Sequence, residues 1–109
     1  MKIAVSSKGA GLGAWIHPEF LTCNFIVVVD DQRDFSAIEN QTNRQTESDE
    51  KLLADKLIDK GIEIFITGIV SRKTVDFLKN NGIAVYLANE GSILELIEQA
   101  KQGNLAVFN

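Results

Sequence analysis

At 109 residues the chain is one domain's length, enough to bury about two thirds of the surface its unfolded form exposes, so folding requires neither disulfide nor structural metal. Its single Cys cannot form an internal disulfide, and a net charge of -4 with no basic run argues against the counterion release that drives non-specific binding to nucleic acid or anionic membranes. No apolar run reaches the ~20 residues of a membrane span, and Met1-Lys2 leads straight into apolar sequence, so a cytoplasmic protein without leader or anchor is expected.

In chain order, Lys2-Ile3-Ala4-Val5 reads as a short first strand, followed at once by Ser6-Ser7-Lys8-Gly9-Ala10-Gly11-Leu12-Gly13. Glycines this dense let backbone N–H groups approach an anion. The spacing is neither the dinucleotide fingerprint nor the Walker loop, and Trp15-Ile16-His17-Pro18 does not open a helix. A cofactor-binding loop at Gly9, Gly11 and Gly13 and an ordinary surface loop both stay open, with Trp15 read as a partly buried cover. Asn24 to Asp30 is strongly β-forming with apolar residues on both faces, as a central strand requires. A turn over Asp30-Asp31-Gln32-Arg33 then returns the chain along Phe35 to Glu39, half polar as edge strands are. Residues 40 to 46 form a polar loop.

Thr46 and Asp49 have capping-box spacing, and Leu53, Ala54, Leu57 and Ile58 make one apolar stripe, predicting a helix over 47–60 that Gly61 ends. The stretch from 61 to 91 reads as strand, helix, strand, the shortest right-handed parallel crossover. The runs Ile62, Ile64, Phe65 and Ile66 and Ile83 to Leu87 are too continuously apolar for a strand with one wet face, while Ser71 caps a helix over 71–80. Ser92 and Glu95 form a second capping box and predict a helix over 92–102. Leu105, Val107 and Phe108 fit either a further edge strand or a subunit contact. The residues thus predict a single α/β domain over 1–109, a mixed sheet with helices on both faces.

The chain resembles the dinitrogenase iron-molybdenum cofactor biosynthesis family, found in NifX-type carriers and at the end of the NifB-type synthase. The resemblance is carried by MKIAVSS, by Pro18-Glu19-Phe20-Leu21-Thr22-Cys23, by LLADKLIDKGIEIFITG and by LKNNGIAVYLANEGSILELIEQAKQGNL. It implies a three-layer α/β/α ribonuclease H-like fold with a mixed five-stranded sheet in the order 3-2-1-4-5, strand 2 antiparallel. It also implies a non-enzymatic carrier of an iron-sulfur or iron-molybdenum-type cluster. The chain departs from the family in its loops. Where members often read Ser-Pro-His-Phe-Gly-Arg-Cys this one reads His17-Pro18-Glu19-Phe20-Leu21-Thr22-Cys23. Ser71-Arg72 replaces a common Gly-Pro, and Gln45-Thr46-Glu47-Ser48-Asp49 replaces a Gly- and His-rich segment. A regulatory or interaction domain that kept the scaffold and lost the family ligand is therefore the alternative.

On the resemblance, Cys23 is the candidate thiolate ligand, with His17 and Glu19 adding nitrogen and oxygen. The other reading of Cys23 is a small buried hydrophobe. Thr67, Gly68, Ser71 and Arg72 complete the candidate site, since free N–H groups and a cation at a helix start favour an anion. A ribonuclease H-type nuclease would need carboxylates on the first strand, and Lys2-Ile3-Ala4-Val5 has none. The single His has no nucleophile fixed beside it by motif, so no enzyme activity is expected. The partners expected are a metallocluster or a protein, the chain being a monomer or weak homodimer.

Overall fold

The apolar runs of the sequence lie side by side in a computed structural model that describes residues 1–30 and 34–108. The elements are β1 (Ile3–Ser7), β2 (Phe25–Val29), β3 (Phe35–Glu39), α1 (Glu47–Asp59), β4 (Ile64–Thr67), α2 (Arg72–Asn80), β5 (Ala84–Leu87), α3 (Ile93–Lys101) and β6 (Ala106–Val107). They form one sheet in the order β3-β2-β1-β4-β5-β6. β1 pairs antiparallel with β2 and parallel with β4, which pairs parallel with β5. β2 is therefore an interior antiparallel strand, as expected, and β3 is its hairpin partner at the edge. Of the expected turn, Asp31, Gln32 and Arg33 lie outside the described residues.

Alternation along the strands builds two cores. Ala4, Ile26, Val28, Phe65 and Val85 point to one face and pack with Leu53, Leu57, Val75 and Leu78 of α1 and α2. Ile3, Val5, Val27, Val29 and Ile66 point to the other and pack with Ile93, Leu96 and Ile97 of α3. This is the three-layer α/β/α arrangement, and burial on both faces is why the strand sequences run apolar without a break. Each fully buried Ile, Leu or Phe contributes about 1.5–3 kcal/mol of burial free energy.

The helices start where their caps predict. Thr46 accepts from the Asp49 amide with the reciprocal bond present, Ser71 accepts from Thr74, and Ser92 and Glu95 form a complete capping box. Gly61 and Gly82 follow α1 and α2 with φ of 71° and 83°, where any other residue would be strained. The tail that fitted two readings is a sixth strand. Val107 pairs with Tyr86, and the Phe108 amide donates to the Val85 carbonyl at 2.8 Å, covering the edge of β5. Two residues of ladder are too short to leave a periodic signal. Among the described residues no helix is long and apolar enough to cross a membrane.

Candidate functional site

The carboxyl ends of β1 and β4 are roofed by a strap, residues 15–20, which no periodicity announces because tertiary hydrogen bonds hold it in place. The His17 amide donates to the Ser6 carbonyl at 2.9 Å and the Phe20 amide to that of Ile69 at 3.0 Å. The Pro18 carbonyl accepts from both Gly68 and Ile69, at 2.9 and 2.7 Å. Beneath the strap, Ser6 and Thr67 are buried side by side. Ser6 Oγ donates to the His17 carbonyl at 2.7 Å, so its proton is committed and Thr67 Oγ1 is the donor in the 2.9 Å contact between the two hydroxyls. The loop after β5 joins from the far side, the Ile16 amide bonding the Gly91 carbonyl and the Ile93 amide that of Ala14. The ends of β1 and β4 and the strap before β2 thus meet at one edge, where open α/β sheets place their ligands. The loop of residues 88–92 carries no motif of its own. Its signal is the parallel crossover, which puts the ends of β4 and β5 side by side.

The glycine loop leaves the end of β1 and folds back over the α3 face, where Leu12 packs beside Val29, Leu94 and Ile97. The Gly9 amide bonds Ser7 Oγ and the Ala14 amide bonds the Gly11 carbonyl, whereas the amides of Ala10, Gly11, Leu12 and Gly13 have no partner among the described residues. A Cβ on Gly11 or Gly13 would meet open space. Packing does not require those two glycines.

The sulfur and nitrogen candidates are not brought together. Cys23 is fully buried among Phe20, Ile26 and Leu53 in the core under α1. Burial pushes its thiol from an ordinary 9.0 up to about 12, outweighing the Ser7 backbone hydrogen bond and the Arg44 charge. His17 and Glu19 stay partly exposed on the strap. His17 Nδ1 lies 3.1 Å from the Glu19 carbonyl and accepts from the Glu19 amide at 3.3 Å, while Thr22 donates to the Glu19 carboxylate at 2.7 Å. Among the described residues no three of His, Cys, Asp or Glu are grouped as a metal would need. The ligand set Cys23, His17 and Glu19 is thus not assembled, because the thiol serves the core.

Cys23 makes a pH prediction. Its folded pKa is raised above the unfolded one, so the stability it contributes is whole below pH 9.0 and is lost as pH rises through about 12. Native protein should resist iodoacetamide at pH 8.5 and be alkylated once urea unfolds it. Rapid labelling of the native form would show the thiol to be exposed.

The start of α2, expected to attract an anion, already faces one from inside the chain. The buried Glu50 carboxylate accepts from the Ser71 amide at 3.1 Å and from Ser71 Oγ at 2.6 Å. Arg72 pairs with Asp76 at 3.4 Å and its guanidinium lies 5.6 Å from the Phe108 ring centroid. Glu50 is 21 residues from Ser71, so no local spacing joins the two. Its signal was a carboxylate in line with Leu53, Ala54 and Leu57, an acid on the apolar stripe of α1.

A family model described as dinitrogenase iron-molybdenum cofactor matches residues 1–103. Among curated proteins none matches the chain. The apo form of the orange protein from Desulfovibrio gigas superposes with a TM-score of 0.88 at 24% identity, covering 98% of this chain and 92% of that one. A proposed NifB protein from Thermotoga gives 0.78 at 23%, over 97% and 91% of the two chains. A proposed dinitrogenase from Methanocaldococcus jannaschii gives 0.72 at 21%, over 100% and 95%. At these identities the structures show the shared fold alone.

Proposed function

Because the chain belongs to the dinitrogenase iron-molybdenum cofactor family, we propose that it is a binding or carrier domain, not a catalyst, whose cargo is an anionic metallocluster. The observation that carries this reading is the family match over 1–103, to which the structure adds one edge where the strap meets the ends of β1 and β4. The groups left available are the part-exposed His17 ring on the strap and, on the loop that leaves β1, the amides from Ala10 to Gly13, which have no partner among the described residues. Free backbone amides can hydrogen-bond an anion without ligating its metal. Ser6, Thr67 and Gly68 are spent on the strap and position it. Ser71 and Arg72 are spent on Glu50 and Asp76, and Cys23 on the core. The cargo is then held by hydrogen bonds and shape, which suits a protein that must give it up.

Anaerobic reconstitution with iron, sulfide and molybdate, followed by metal and acid-labile sulfide analysis, tests the reading. The parent and Cys23→Ala proteins should retain cluster equally, and His17→Ala should retain less. A parent protein that takes up no metal or sulfide would sink the carrier role. Loss of uptake in a folded Cys23→Ala protein would return the thiol to the site.

A further inference from the structure

Trp15 is the chain's one tryptophan, and it is 48% exposed, not the partly buried cover its sequence suggested. An exposed indole on a loose loop would mean little, but the backbone that carries this one is fixed. The Lys8 amide donates to the Trp15 carbonyl at 3.0 Å, and Ala14 and Ile16 on either side are bonded to Ile93 and Gly91. The side chain forms one wall of a cavity of about 420 Å³ whose other walls are Glu90, Gly91, Glu95, Leu96 and Gln99. Leu96 is buried and gives an apolar floor. Glu90 and Glu95 bring two carboxylates, and no basic side chain lines the cavity. Neither carboxylate has a cationic partner among the described residues. Glu95 is held by the Ser92 hydroxyl, which donates to Oε1 at 3.1 Å.

An aromatic face on a fixed backbone, two carboxylates with no cationic partner among the described residues and an apolar floor are complementary to a planar cation. We propose that this cavity is a docking point for an arginine side chain of a partner protein. The guanidinium would stack on Trp15 and share its N–H donors between Glu90 and Glu95. Arginine suits the site better than lysine, because a flat delocalised cation uses the ring face and the carboxylates together, whereas an ammonium is a hydrated point charge. The inference is independent of what the glycine loop carries, since the cavity lies on the α3 side of the strap and is read without cluster.

The chain's single tryptophan makes occupancy visible. The apo protein is titrated with N-acetyl-Gly-Arg-Gly-amide while Trp15 fluorescence is followed, with the citrulline peptide, a neutral near-isostere, in parallel. A saturable change is expected for the arginine peptide only. It should weaken as salt is raised, and by about fivefold in the Glu90→Gln/Glu95→Gln double variant. Glutamine keeps the capping interaction at position 95, and far-UV circular dichroism establishes that the variant is folded. An equal response to citrulline, no saturable response, or a response unchanged in the double variant would each overturn the proposal. A Trp15 signal that depends on protein concentration without peptide would put a second copy in the cavity and likewise overturn the assignment to a partner.

Discussion

Replacing Asn40 by Asp should destabilise the protein by about 3–5 kcal/mol at neutral pH, a large part of the 5–15 kcal/mol by which a domain of this size is usually stable. Asn40 is 3% exposed, and its carboxamide is fully used. Nδ2 donates to the Leu21 carbonyl at 3.0 Å and the Cys23 carbonyl at 2.8 Å, and Oδ1 accepts from the Thr42 amide at 3.0 Å and its hydroxyl at 2.7 Å. Aspartate has the same shape and keeps the acceptor. It loses both donors and sets a buried anion against two carbonyl oxygens, leaving three groups unsatisfied. Asn40→Leu leaves the same carbonyls unpaired without the charge and should cost less than Asn40→Asp. Urea unfolding monitored by circular dichroism measures both, with an unchanged m-value as the sign that only stability has moved. An Asn40→Asp protein within 1 kcal/mol of the parent would show that the clamp does not hold residues 21–23 to the end of β3.

Asn40 also marks the boundary of what the sequence makes legible. Strands and helices are written in local patterns: β-branched runs buried on both sides, Thr46, Ser71 and Ser92 as caps, Gly61 and Gly82 as stops. Their order alone implied a mixed sheet, and the family resemblance supplied the strand order that the structure shows. The candidate site is written differently. Asn40 bonds residues 17 and 19 positions away, Glu50 meets Ser71 across 21, and Ser6 meets Thr67 across 61. Each looked like an ordinary polar residue in its own neighbourhood. Cys23 shows the converse. Chemistry and resemblance made it a ligand candidate, but β2 begins two residues later and draws it into the core, where the thiolate is unfavourable.

The second large effect falls on Gly68, the residue on which the strap closes. A Cβ at this position would lie 2.8 Å from the Ala88 carbonyl oxygen and 2.8 Å from that of Pro18, with Asn89 Oδ1 closer still. Asn89 is exposed and can swing away, but the carbonyls are backbone. Pro18 O is held by the Gly68 and Ile69 amides, and the Ala88 amide is bonded to Thr67 O. Gly68→Ala must therefore push the strap off β4 or force the β5 loop aside, at a cost of about 2–3 kcal/mol. If the obstacle is backbone, adding Asn89→Ala should recover almost none of the loss. Full recovery in Gly68→Ala/Asn89→Ala would mean that a mobile side chain had been the only barrier. The strap also carries Trp15 and His17, so the single substitution should shift the native tryptophan emission and weaken both cluster retention and the arginine-peptide response. A core lesion of equal cost, such as Ile97→Ala on the buried face of α3, should lower the urea midpoint comparably while leaving the native emission unchanged. Only a strap clamped at Gly68 predicts that difference.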